Sequence, residues 1–83
     1  MLNLDMMKNV LVIGSTGQIG SELTRELRRI YGGSNVVAGY IPGAEPKGDL
    51  LEGGPAEIAD VTDPEGIDAI VKKYKIDTKI GRA

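Results

Sequence analysis

Three glycines at a three-residue spacing, Gly14, Gly17 and Gly20 in "GSTGQIG", are the residues best suited to chemistry in this chain. That chemistry is the holding of an anion by main-chain groups. Glycine at the first position takes backbone angles closed to other residues in a tight turn. At the second it lets a phosphate approach without a β-carbon in the way, and at the third it lets a helix pack closely on a strand. N–H groups near Gln18 and Ile19, at the start of a helix, would face the anion along with the helix dipole. Ser15 and Thr16 add hydroxyl donors. The spacing is weak alone, since 12 of 83 residues are glycine and a plain strand-to-helix turn also uses them. A triphosphate loop is disfavoured, because no Lys-Ser or Lys-Thr follows the last glycine.

The surrounding elements strengthen the phosphate reading. Val10, Leu11, Val12 and Ile13 are consecutive and apolar, as in a strand covered on both faces within a parallel sheet. Ile19, Leu23, Leu27 and Ile30 then form one helical stripe, with Glu22, Arg25, Glu26 and Arg29 on the other faces, and Gly32 and Gly33 stop the helix. "NVVAGYI" (35–41) predicts a second strand, completing a parallel crossover. With three prolines and four glycines in fourteen positions, 42–55 predicts an irregular, mobile loop. "AEIADV" (56–61) predicts a third strand. A second helix follows, with Thr62 and Glu65 at capping-box spacing, Pro64 in its first turn, and Ile67, Ile70, Val71 and Tyr74 as its buried stripe. "IDTKI" (76–80) is a possible, weak fourth strand.

Composition narrows the function. The chain is one short domain with a thin core. Twelve acidic and ten basic residues nearly balance, and the basic ones, Arg25, Arg28, Arg29, Lys72, Lys73 and Lys75, are scattered over predicted helix faces, which argues against nucleic acid. The sequence contains no cysteine and no histidine, which removes disulfides, thiol nucleophiles and imidazole bases and leaves no zinc-ligand set. The apolar run at 10–13 is too short to cross a bilayer, and no secretory signal pattern opens the chain. A cytoplasmic location is expected, with residues 1–7 as an N-terminal extension and 8–83 as the folded unit.

"NVLVIGSTGQIGSELTRELRRIYG", "NVVAGYI" and "ADVTDPEGIDAIVKKYKID" together resemble the N-terminal part of the extended short-chain dehydrogenase/reductase, or NAD-dependent epimerase/dehydratase, family. Within it they are most similar to the short-chain-type L-threonine 3-dehydrogenase branch, through "GQIG" and the helix ending in Tyr-Gly. The resemblance implies an α/β partial Rossmann fold of three to four parallel strands, order 3-2-1-4, with two main helices. It implies NAD along Gly14, Gly17, Gln18, Ile19 and Gly20, and adenine contacts from Asp60 and Val61. For Asp60 a turn-forming role is an equal alternative.

Two departures shape the expected function. Tyr40 stands where the family has the acid that binds the ribose hydroxyls, and a phenol cannot replace a bidentate carboxylate acceptor. No arginine at 39–42 welcomes a 2′-phosphate either, so the loss does not argue for NADP, and Lys47, within the loop, does not count toward one. After "KYKID" the family continues through an apolar strand to a His-Leu-Ala segment, whereas here "TKIGRA" follows, which reads as a coding region cut short. The family's catalytic Tyr-x-x-x-Lys pair has no counterpart, since Tyr31, Tyr40 and Tyr74 are followed four residues later by Asn35, Ala44 and Thr78. The expectation is a weak NAD or adenine-nucleotide binder without catalysis of its own, derived from an oxidoreductase or sugar-nucleotide epimerase. The alternative is a self-associating module that has lost useful ligand binding. A homodimer or higher homo-oligomer is expected in either case, through the first strand's bare edge or the polar fourth strand.

Overall fold

The computed structural model describes residues 8–81; the expected extension at 1–7 lies outside them. Four parallel strands, β1 (Val10–Ile13), β2 (Val36–Tyr40), β3 (Ala56–Ile58) and β4 (Thr78–Gly81), form one sheet in the order β3-β2-β1-β4. This is the expected Rossmann order. Helices α1 (Gln18–Tyr31), α2 (Asp49–Glu52) and α3 (Pro64–Tyr74) connect them, with a 3-10 turn at Gly33–Asn35.

The consecutive apolar residues of β1 follow from its central place. Side chains alternate between sheet faces, so Val10 and Val12 join Val36 under Leu23, Leu27 and Tyr31 of α1. Leu11 joins Val37 and Ala59 on the opposite face, under Ile67 and Ile70 of α3. All four strand residues therefore have something to pack against, and burying each contributes roughly 1.5–3 kcal/mol.

Helix α1 is rotated from the stripe expected for it. Ile19 is 73% exposed and Ile30 48%, while Thr24 and Arg28 are buried. The cause is the close approach at Gly20, which brings the line Gly20, Thr24, Arg28 against the sheet at four-residue spacing. The Thr24 hydroxyl returns to the Gly20 carbonyl at 2.7 Å. Arg28, one of the basic residues expected on helix faces, is turned inward and donates to three carbonyls: Val36 at 3.2 Å, Leu50 at 2.7 Å and Pro55 at 2.8 Å.

These bonds also correct the reading of 42–55 as wholly irregular. The segment contains α2, whose Leu50 is buried, and Arg28 holds it at the Leu50 and Pro55 carbonyls. Its helical turn starts after Gly48 and closes with the N–H of Gly53 on the Asp49 carbonyl at 2.8 Å.

The cap of α3 is Asp63, one residue past the expected Thr62; its side chain accepts the N–H of Gly66 at 3.2 Å, with Pro64 opening the helix. Lys75 is not on a helix face but forms the left-handed C-cap. The fourth strand forms fully and covers the β1 edge that was expected to be bare. Asn9 secures its start: its carbonyl accepts the N–H groups of Asp77 and Thr78 at 3.0 and 3.3 Å, while its own N–H donates to the Asp77 carboxylate at 3.2 Å. The sheet's open edges are therefore β3 and the outer side of β4.

Glu57 ties β3 to α3, accepting the Tyr74 hydroxyl at 2.5 Å and the Lys73 ammonium at 2.9 Å. The Tyr74 bond first, and then Lys73, hold its carboxyl below the ordinary glutamate range. A depressed folded-state pKa contributes stability that is present above the unfolded value and lost as pH falls through the folded one. Glu57→Gln is expected to flatten the fall in urea midpoint between pH 7 and pH 3 relative to the natural chain. Equal slopes would show that the Glu57 cluster contributes nothing.

Candidate functional site

The connections place a crevice before any side chain is considered. Helix α1 leaves β1 toward one face, and α3 arrives at β4 from the other, so the chain switches faces between neighbouring strands β1 and β4. Ligands of open α/β sheets bind outside the carboxyl ends of the strands at such a point. The glycine loop stands there.

Gly14 has φ +80°, the left-handed region that the tight turn requires. Its N–H and that of Ser15 both reach the Gly39 carbonyl, at 3.1 and 3.0 Å. The Ser15 hydroxyl reaches the same oxygen at 2.9 Å and is fully buried. Ser15 therefore spends its hydroxyl on tying the loop to the end of β2, where sequence reading had it facing a phosphate. Thr16 is half-buried and Gly17 exposed.

Gly17 caps α1 with no side-chain acceptor, and the first turn holds no acid. The Gly17 N–H returns to the Gly14 carbonyl at 3.2 Å and that of Ser21 to Gly17 at 2.8 Å. Between them the N–H groups of Gln18, Ile19 and Gly20 belong to the helix's first turn, which lacks intrahelical acceptors. A β-carbon on Gly17 would meet only the Gly14 carbonyl oxygen, at 3.6 Å, so the space above these donors is open. The geometry suits an anion held by main-chain N–H groups. Beside it, Ile13, Ile19, Leu23 and Ile80 line an apolar hollow of about 200 Å³ in the β1–β4 crevice.

The remaining expected site residues lie at the same end of the sheet, on the ends of β2 and β3. Tyr40 closes β2 opposite Ile58 of β3 and borders a hollow shared with Ala69 and Ile70 of α3. Asp60 takes the turn-forming role that sequence left open, one carboxylate oxygen accepting the Thr62 N–H at 2.9 Å and its hydroxyl at 2.7 Å. The Thr62 hydroxyl and then its N–H hold the Asp60 carboxyl below the ordinary aspartate range. Val61 is exposed beside it.

Sequence reasoning missed the Gly39 carbonyl, Arg28 and the grouping of Arg25 with Lys47 near Thr16. No residue type signals a carbonyl anchor, and the other two depend on how 42–55 folds. Among the described residues no cluster of three or more metal-ligating side chains occurs. None of their helices is long and apolar enough to cross a membrane.

Strand order, crossover connections and glycine loop together define a Rossmann-type α/β unit. In sequence and in fold the chain resembles the N-terminal part of the extended short-chain dehydrogenase/reductase family. An uncharacterized epimerase/dehydratase of Staphylococcus saprophyticus is 43% identical over 77 residues, 93% of this chain and 24% of the relative. Among solved structures, L-threonine dehydrogenase of Clostridium difficile superposes with a TM-score of 0.78 at 45% identity, over 90% of this chain and 23% of that one. The holo form of a GalE-like L-threonine dehydrogenase from Cupriavidus necator gives 0.76 at 29% identity, over 90% and 23%. The chain thus spans about a quarter of the length of the relatives it matches. No protein-family model matches it.

Proposed function

We propose that this chain binds the pyrophosphate and adenosine portion of a nicotinamide dinucleotide, NAD or its phosphorylated form, at the Gly14–Gly20 loop. The observation that carries the reading is the loop itself, turned by a left-handed Gly14 at the carboxyl end of the central strand, with acid-free first-turn N–H groups opening onto uncovered space. The resemblance to L-threonine dehydrogenases and epimerase/dehydratases supports it. Gly14, Gly17, Gln18, Ile19 and Gly20 hold the pyrophosphate, Thr16 and Tyr40 border the ribose, and Asp60 and Val61 border adenine. Ser15 holds the loop in place. When bound, such a cofactor supplies hydride transfer; these residues bind and orient it. With no Tyr-x-x-x-Lys pair in the 83 residues, they are not expected to turn over threonine or other secondary alcohols unaided.

Calorimetric titration with NAD is expected to give a dissociation constant in the high micromolar to millimolar range, about −4 to −6 kcal/mol, because Tyr40 lacks the ribose-binding carboxylate. Gly17→Val fits the backbone, whose φ is −72°, and is expected to abolish binding while shifting stability by less than about 1 kcal/mol. Undiminished binding in that variant would refute the site.

A second reading, self-association, is favoured by one observation. The outer edge of β4 is unpaired and lies beside the apolar hollow of Ile19, Leu23 and Ile80, and such edges recruit other strands. A homodimer burying more than about 1,000 Å² through this edge is expected. Sedimentation at tens of micromolar tests it: a clean monomer near 9 kDa (8.8 kDa from sequence) would refute it. The location proposed is cytoplasmic, in keeping with a chain free of cysteine.

A further inference from the structure

We infer that the hollow between the later turns of α1 and α2 is a phosphate-binding site, separate from the glycine loop and independent of the dinucleotide reading. The hollow, of about 280 Å³, is lined by Arg25, Arg28 and Arg29 of α1, by Asp49 of α2, and by Gly33 and Gly53. Gly33 and Gly53 lie in close backbone contact, since a β-carbon on Gly33 would strike the Gly53 carbonyl oxygen. None of the lining residues belongs to the loop at 14–20, which stands at the opposite end of α1 from Gly33.

Arg28 carries the inference. It is only 9% exposed, yet no carboxylate forms an ion pair with it among the described residues, and buried charges ordinarily have a counter-charge. Its three carbonyl partners are dipoles, and they leave one hydrogen on each terminal nitrogen uncommitted. Burial lowers its pKa, and Asp49, which counters this from a distance, is already engaged by Arg25. Arg25 and Arg29 bring two further guanidinium groups, one turn apart on α1. Arg25 spends Nε on Asp49 at 2.8 Å, and Arg29 spends Nε and one terminal nitrogen on Glu26. Both pairs are exposed, and such pairs rearrange at little cost. Three cations therefore share the hollow with one carboxylate, Asp49. The C-terminal end of the α1 dipole opposes an anion here with about half an elementary charge, which the arginines exceed. Planar forks suit a phosphate, whose oxygens accept from more than one arginine at once. A carboxylate, with two oxygens and a single charge, gains less.

Thermal melts of the 83-residue protein in inorganic phosphate, glycerol phosphate and acetate at matched ionic strength test the inference, with nitrogen-15 spectra of the same samples. Inorganic phosphate at about 20 mM is expected to raise the melting temperature by about 5 °C or more, as binding with a dissociation constant near about 1 mM requires, and acetate by less than about 1 °C. An equal rise with glycerol phosphate assigns the site to a phosphorylated molecule, and a rise with inorganic phosphate alone assigns it to the free ion. The largest spectral shifts should fall on the Arg28 Nε–H and the Gly33 and Gly53 amides. Arg25→Gln/Arg29→Gln, at two exposed positions, is expected to cut the rise by about threefold or more, whereas Gly17→Val, which removes dinucleotide binding, should leave it intact. No rise in phosphate, an equal rise in acetate, or a rise undiminished in the double variant would overturn the site. Shifts centred on Gly14–Gly20 and lost in Gly17→Val would place the phosphate in the dinucleotide loop, overturning this inference while leaving that reading standing.

Discussion

Gly20→Ala is expected to destabilise the fold by about 3 kcal/mol or more, the upper range of overpacking, and to abolish nucleotide binding in whatever remains folded. The added β-carbon is driven into the carbonyl oxygen of Gly14, 2.9 Å from its carbon and 3.1 Å from the Cα of Ser15. All three obstacles are backbone, so no rotamer change relieves them. Gly14 cannot withdraw easily, because its N–H and that of Ser15 hold the Gly39 carbonyl from the other side. Helix α1 must therefore move away from β1, and Thr24, packed one turn further along the same face, moves with it. A domain of this size has only about 5 kcal/mol in hand, so the melting temperature should drop by roughly 15 °C or more. Thermal melts followed by circular dichroism check this. A melt within about 3 °C of the natural chain would mean that the loop yields where it is described as rigid. Gly17→Val, by contrast, points into open space and separates loss of binding from loss of fold.

The contrast between Gly17 and Gly20 also shows what was legible in the sequence. Four consecutive apolar residues in β1 require packing on both faces, and that requirement, with the crossover lengths and the glycine spacing, leads directly to a central parallel strand followed by a phosphate loop. The phase of α1 did not follow from hydrophobicity. Ile19 and Ile30 suggested one face, but the face that meets the sheet is set by the smallest residue, Gly20, and by the Thr24 and Arg28 that line up behind it. Ser15 was misread for a related reason: its type permits a phosphate contact, while its partner, a carbonyl 24 residues away, has no signature in the chain. Asp63 displaced Thr62 as the α3 cap because Asp60 had already engaged Thr62. The Ser15 and Asp63 outcomes were decided by competition among donors and acceptors, which residue type alone does not rank. The fourth strand, thin in apolar residues, formed because Asn9 aligns it with β1.

Arg28→Met is expected to cost about 3 kcal/mol, close to the loss from Gly20→Ala but through a different physical route. The guanidinium is nearly buried and supplies donors to carbonyls of Val36, Leu50 and Pro55, which belong to the start of β2, to α2 and to the approach to β3. Burial pulls its pKa down and Asp49 partly restores it; an arginine stays charged in a protein, and this one meets mainly backbone dipoles. Methionine fills much of the volume but takes the guanidinium donors from all three carbonyls, of which Pro55 keeps the Ala38 N–H at 2.9 Å; a buried polar group left unpaired costs about 1–3 kcal/mol. Lysine is not a substitute, since one ammonium on a flexible stem cannot span the positions that a planar fork reaches together. Arg28→Lys should recover less than half of the loss. Because 42–55 buries only Pro46 and Leu50, its release should precede global unfolding, and limited proteolysis should cut Arg28→Met within 42–55 at protease levels that spare the natural chain. Urea melts and cleavage mapping give the two readouts. A stable Arg28→Met that resists cleavage there would show that the segment holds itself without the arginine beneath it.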